Sequence, residues 1–235
     1  MADITLLDGG MGQELVHRAG DKPTPLWSTQ VMIDHPGLVA AVHADYANAG
    51  ATVATTNTYA IHHDRLVGTP MQGRFDDLFS MALAETKGVK CRIAGAIGPL
   101  IASYRPDIHP AFDDAVPLYK EAARKLATTC DLIICETVAS VDHARAILTG
   151  ADVGLPVWLA VTLDDEDGTK LRSGEPVADV LGLQYDAILA NCCAPEAIPA
   201  ALKVFAKGDK PYGAYANGFT MITKDFLKAK PTVDS

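Results

Sequence analysis

The sequence is short of positive charge. Its 20 lysines and arginines stand against 29 aspartates and glutamates, a formal net charge of −9. That balance leaves no basic footprint for phosphates, which excludes nucleic acid as the main partner and argues against an anionic membrane surface. Long apolar runs are also lacking. No stretch approaches the roughly 20 apolar residues that span a bilayer, so no membrane partner is expected. The opening MADITLLDGG has neither the basic start nor the apolar centre of a secretory signal. Cysteine is scarce and odd in number: Cys91, Cys130, Cys135, Cys192 and Cys193, most of them inside apolar runs. This excludes a complete disulfide framework and suits the reducing cytoplasm, the expected location. There is no low-complexity segment, charge block or linker, and residues 1–235 are expected to form a single domain.

What is present is a repeated strand followed by a helix. Apolar strand candidates are Ile4–Leu7, Thr52–Thr56, Cys91–Ala96, Leu132–Cys135, Val157–Thr162, Ala187–Ala190 and Tyr212–Tyr215. They are continuous apolar runs, as parallel strands covered on both faces should be. Between them, Phe75, Leu78, Phe79, Ala82 and Leu83 recur at helical spacing. A helix over His35–Asn48 starts with Pro36 in its first turn and stops at Gly50. Val116–Leu126 and Ala197–Phe205 repeat the pattern. Strand–helix alternation gives a parallel α/β fold. Seven strands without a Gly-rich dinucleotide fingerprint after the first favour a TIM-type β/α barrel over a doubly wound sheet. The barrel reads as incomplete, about seven of eight strands, before the polar tail KAKPTVDS. An open barrel would expose strand edges and apolar surface, so a homo-oligomer is a possible state.

In such a barrel the C-terminal strand ends build the site. Those ends carry Asp8-Gly9-Gly10, Asn57-Thr58-Tyr59, Gly95 to Gly98, Glu136-Thr137, Thr162 with Asp164, Asn191-Cys192-Cys193 and Asn217-Gly218. A carboxylate such as Glu136, directly after Leu-Ile-Ile-Cys, is either buried and paired or aimed into the barrel mouth. Asp8 serves equally as a turn residue. Asn57 and Thr58 serve equally to satisfy loop backbone groups. His62 and His63 read as a solvated loop. The acidic run Asp164-Asp165-Glu166-Asp167 reads as a solvated turn ending in Gly168 rather than a cation loop. Cys91, Cys130 and Cys135 read as small buried residues.

The adjacent cysteines fit no redox pair, since a bridge between neighbours needs a strained small ring. Side chains alternate along a strand, so only one of the two faces the mouth while the chain stays extended. One thiol is too few ligands for zinc. Cys192 is therefore a candidate nucleophile or one ligand of an incomplete metal site.

Together the stretches LLDGGMGQEL, YANAGATVATTNTY, AGAIGPL, ICET, ANCCAPEAI and YGAYANG resemble the homocysteine S-methyltransferase family, zinc-dependent homocysteine-binding barrels, across nearly the whole chain. The resemblance implies a methyltransferase that moves a methyl group from an S-methyl sulfonium or betaine-like donor to the zinc-bound thiolate of homocysteine, forming methionine. It implies that Asp8 and Gly9 hold the amino acid part of homocysteine, and that Glu136 accepts a hydrogen bond from the substrate ammonium. It makes Cys192, preceded by Asn191, the first zinc cysteine and places Asn57, Thr58, Asn191 and Asn217 around the site. It gives Cys193 no role. Two further zinc cysteines, from a Gly-Gly-Cys-Cys motif after an eighth strand, are absent from the sequence and are expected in a C-terminal segment beyond Ser235. Two other functions remain open at this point: a non-catalytic thiol- or amino-acid-binding barrel without zinc, and a metal-free barrel enzyme with Cys192 as nucleophile.

Overall fold

The computed structural model describes residues 4–20 and 26–218. The polar tail therefore lies outside the described residues. The elements run α1 (Met11–Ala19), α2 (Ser28–Asp34), α3 (Leu38–Asn48), β1 (Val53–Thr55), α4 (His63–Leu66), α5 (Phe75–Ala84), β2 (Arg92–Ile97), α6 (Phe112–Leu126), β3 (Leu132–Val138), α7 (Val141–Ala151), β4 (Val157–Val161), β5 (Ala187–Asn191), α8 (Ile198–Phe205) and β6 (Tyr212–Tyr215). The six strands pair in sequence order, every neighbour parallel. Among the described residues no helix is long and apolar enough to cross a membrane.

The sheet divides its side chains between two apolar layers. On β3, Ile133 and Cys135 join the large core under the helices, with Phe79, Tyr119, Leu126 and Ile147. Leu132 and Ile134 point the other way, into a smaller cluster with Val53, Ala94, Ala160 and Leu189. This is the period-two division of a strand buried on both faces. Burying a leucine such as Leu132, which is fully buried, contributes about 1.5–3 kcal/mol.

The smaller layer lies on a concave face. Tyr215 on β6 donates a hydrogen bond to Glu136 on β3 at 2.7 Å, although two strands separate them. In a flat sheet strands three apart would lie about 14 Å from one another. The sheet therefore curls, forming a partial barrel with both residues on its inner side.

Two expectations need correction. Among the described residues six strands form, and a seventh is not found. Of Ile4–Leu7, only Leu7 makes a bridge, to Val53, and the Leu6 carbonyl accepts from both the amide and the hydroxyl of Thr52. Ile4 is 88% exposed and Leu6 51% exposed. The segment sits beside β1, bonded to it on one side, with Leu7 packed against the inner cluster while Ile4 and Leu6 stay exposed. The second correction concerns α3, which begins at Leu38 rather than His35. Gly37 has φ 87°, a left-handed residue that leaves Pro36 outside the helix. Helices α1, α2 and α7 are not among the elements expected from the sequence; α7 starts at a capping residue, with the Ser140 hydroxyl accepting from the His143 amide.

Candidate active site at the strand ends

The chemistry gathers where β3 and β5 end, and the same backbone device shapes both ends. On β3, Glu136 points inward by alternation, and Thr137 should then point out. Instead Thr137 has φ 58°, a left-handed conformation that costs a β-branched residue about 1–3 kcal/mol. The pairing of β3 with β4 shifts register between Cys135 and Val138, as at a β-bulge. On β5, Asn191 points inward and Cys192 has φ 52°. In each case the left-handed residue turns a second side chain toward the mouth and sends the next one, Val138 or Cys193, into the outer core. The extended-chain premise of the sequence reading fails here, yet its conclusion about Cys193 as a packing residue holds.

The two left-handed turns are tied together across β4. The Asn191 carboxamide accepts from the Thr137 amide at 3.1 Å and donates to the Thr137 hydroxyl at 3.4 Å. It also donates to the Cys192 sulfur at 3.3 Å. The Cys192 carbonyl accepts from the Thr162 hydroxyl at 3.0 Å, and its amide donates to the Tyr215 carbonyl at 3.2 Å. The hydroxyls of Thr137 and Tyr104 both hydrogen-bond the thiol. Burial, with Glu136 nearby, pushes the Cys192 thiol up to about 12, so it is protonated at neutral pH.

Glu136 lies beside this thiol, and Asp8 lies beside Glu136. Burial raises Glu136 to about 7, opposed by the Tyr215 hydrogen bond, while the charge of Asp8 raises it further. Asp8 is raised by burial as well, although its carboxylate accepts from the Thr55 amide at 2.6 Å and the Thr55 hydroxyl at 2.8 Å. Neither carboxylate has an ion pair among the described residues. Two acidic groups held together without a cation make a site suited to a cationic ligand.

The other predicted residues lie differently. Asn57 is buried and donates to the Ser28 carbonyl at 3.1 Å. Thr58 donates to the Ala96 carbonyl at 2.6 Å and shares a 2.7 Å bond with the Thr56 hydroxyl. Both satisfy backbone carbonyls, Asn57 one at the start of α2 and Thr58 one near the end of β2. A Cβ on Gly9 would stand 2.6 Å from the Tyr46 ring, so glycine there permits close packing of that ring. Asn217 donates its backbone amide to the Cys193 carbonyl, and its side-chain Nδ2 is buried with no partner among the described residues. His62 is buried against Tyr119 rather than solvated, whereas His63 stacks on Phe75. Asp165 also departs from the solvated turn: its side chain is only 6% exposed and pairs with Arg172.

Sequence reasoning missed Tyr104, Tyr215, Asp165 and Arg172. Tyr215 was within reach, because it lies two residues before Asn217 and on the face that alternation turns inward. Tyr104 and Arg172 lie in long loops, where no periodicity announces a side chain's direction.

Zinc takes four ligands, at least three of them from protein. Among the described residues no group of three or more His, Cys, Asp or Glu is placed to hold a metal ion. Cys192 brings one thiol to the mouth, while Cys135 and Cys193 are buried in the outer core. The described residues thus do not fit a zinc site by themselves.

A family model described as homocysteine S-methyltransferase matches residues 5–232. The homocysteine S-methyltransferase of Escherichia coli K12 is 31% identical over 228 residues, covering 86% of this chain and 73% of that protein. The Bacillus subtilis homocysteine S-methyltransferase YbgG is 25% identical over 244 residues, covering 91% of this chain and 77% of its own length. The metallated crystal form of the E. coli homocysteine methyltransferase MmuM superposes with a TM-score of 0.78 at 25% identity, covering 93% of each chain. The curled parallel sheet, the strand-end thiol and carboxylates, and these matches agree: the chain belongs to the homocysteine S-methyltransferase family.

Proposed function

We propose that this protein transfers a methyl group to the sulfur of homocysteine, forming methionine. The observation that carries the reading is the carboxylate pair at the mouth, Glu136 beside the Cys192 thiol and Asp8 beside Glu136, without a cation among the described residues. Homocysteine offers an ammonium for the carboxylates and a thiol for the far side of the pocket. Glu136 accepts from the ammonium, and Tyr215 holds the carboxylate oxygen that points across the sheet. Asp8 and Gly9 bound the amino acid end. Asn191 and Thr137 hold the Cys192 turn, while Asn217 offers its unpartnered Nδ2 to a ligand acceptor. Asn57 and Thr58 shape the wall from behind rather than by direct contact.

The methyl donor is an S-methyl sulfonium or a betaine-like onium. A bond forms between the homocysteine sulfur and the methyl carbon as the thiol proton is released. The bond between that carbon and the donor heteroatom breaks, its electron pair staying with the donor. An in-line displacement of this kind depends on alignment of the attacking sulfur, the methyl carbon and the departing heteroatom, which a rigid strand-end pocket supplies. Cys192 is a single candidate ligand for zinc.

A metal-free reaction with Cys192 as the attacking group is disfavoured by its chemistry. A nucleophilic cysteine needs a lowered pKa, and burial here raises it. A non-catalytic binding barrel is separated from the methyltransferase by product formation. The binding role is tested with Glu136→Ala, which should weaken homocysteine by at least about tenfold in a calorimetric titration, the loss of a charge-assisted hydrogen bond. Unchanged affinity would remove Glu136 from the site.

A further inference from the structure

The segment after β4 touches the loops that follow β2, β3 and β5. Its two short bridges, Leu163 with Leu171 and Lys170 with Pro176, fold residues 163–176 back on themselves. Ser173 donates its amide to the Ala139 carbonyl, and the Glu175 carboxylate accepts from the Val141 amide, both beyond β3. A Cβ on Gly168 would stand 2.0 Å from the Ala197 carbonyl oxygen, so the loop lies directly on the backbone that follows Cys192. At its centre Asp165 and Arg172 form a bidentate pair, with Arg172 Nη2 to Asp165 Oδ1 at 2.9 Å and Nη1 to Oδ2 at 3.1 Å. Their side chains are 6% and 11% exposed.

Each partner of the pair also reaches an element that touches Cys192. Asp165 Oδ1 accepts from the Ala194 amide at 2.8 Å, two residues past the thiol. The Arg172 guanidinium lies over the Tyr104 ring at 5.5 Å, and the Tyr104 hydroxyl bonds the Cys192 sulfur. Tyr104 is itself left-handed, with φ 63°. Two left-handed residues, Cys192 itself and Tyr104 against its thiol, thus stand next to groups held by one ion pair. Strained backbone persists where its surroundings over-determine it, and a buried bidentate arginine–carboxylate pair is a rigid, geometrically specific brace.

We propose that Asp165 and Arg172 are positioning residues for Cys192. They hold the 192–194 turn from one side and Tyr104 from the other, so that the thiol faces the mouth before any ligand arrives. The inference rests on the proposed function only in giving that orientation a use; the orientation itself is measurable without catalysis.

The test is site-resolved alkylation by iodoacetamide of the full protein as purified, with and without chelator, read by peptide mass spectrometry. Cys193 and Cys135 are fully buried in the outer core and serve as internal references. Arg172→Met and Asp165→Ala should raise the labelling rate of Cys192 by about tenfold or more relative to Cys193, at a temperature well below unfolding. Asp165→Asn keeps an acceptor for the Ala194 amide and should show a smaller rise than Asp165→Ala. A Cys192-to-Cys193 rate ratio within twofold of the unsubstituted protein in both Arg172→Met and Asp165→Ala overturns the proposal. So does a parallel rise at all the cysteines, which marks a brace of the whole fold rather than of the thiol. Loss of methyl transfer with normal labelling would leave the proposed function standing and sink the positioning role. Selective labelling in a protein that never forms methionine would do the reverse.

Discussion

The state of Glu136 makes the sharpest prediction. Burial carries its carboxyl from 4.5 to about 7, equivalent to about 3 kcal/mol in favour of the protonated form. Only the ionised form accepts strongly from an ammonium. A ligand bringing that ammonium must therefore release a proton from Glu136 at pH 6, where about one carboxyl in ten is ionised, and hardly any at pH 8. Methionine is the ligand of choice, since it keeps the ammonium and has no thiol to titrate. Calorimetry should show methionine binding about tenfold more weakly at pH 6 than at pH 8, with proton release at pH 6 seen as a dependence on buffer ionisation enthalpy. Glu136→Gln should bind weakly at both values. Folding stability moves in the opposite direction. At pH 4 the carboxyl is protonated in both folded and unfolded chains and costs nothing. Between 4.5 and 7 only the unfolded chain ionises, so stability falls as pH rises and the full cost is reached above 7. Glu136→Gln should accordingly gain stability relative to the unsubstituted protein at pH 8 and not at pH 4. Methionine affinity that varies less than twofold between pH 6 and pH 8 would refute the reasoning.

Tyr215→Phe removes the hydrogen bond that lowers Glu136, so the midpoint of methionine binding should move to higher pH by up to about one unit, measured by the same titration. His43 is fully buried with neither ring nitrogen partnered among the described residues, and burial lowers it to about 4. His43→Leu should stabilise the fold by roughly 1–3 kcal/mol in chemical denaturation at pH 7.5. Its advantage should widen as pH falls from 6.5 toward 4, because the unfolded chain then protonates His43 while the folded chain does not. A narrowing advantage would contradict that account.

Much of the site was legible because strand ends are legible. Continuous apolar runs located β1 to β6, and the polar residue after each run proved to sit at one end of the sheet. Asp8, Glu136, Asn191 and Cys192 were found this way, and their gathering follows from parallel strands in sequence order. The unreadable parts were those where the backbone leaves the extended form. Alternation alone sends Thr137 and Cys192 outward, and only their left-handed angles turn them inward. Nothing in Glu-Thr or Asn-Cys-Cys signals φ above zero, since neither Thr nor Cys favours that region. Burial of Asp165 was hidden for another reason. Four consecutive acidic residues look solvated, and the partner that draws one of them inside, Arg172, stands seven residues away in a loop. Ile4–Leu7 looked like a strand because a continuous apolar run does not report how many of its residues pair with a neighbour; here only Leu7 does.

The central claim is methyl transfer to homocysteine at the Cys192 mouth. The direct measurement incubates the full protein with homocysteine and S-methylmethionine carrying an isotope label in its transferable methyl, and follows label in newly formed methionine. The account predicts labelled methionine from the unsubstituted protein, at least about a hundredfold less from Cys192→Ser, and a large loss from Glu136→Ala. Label appearing at an undiminished rate with Cys192→Ser would contradict it.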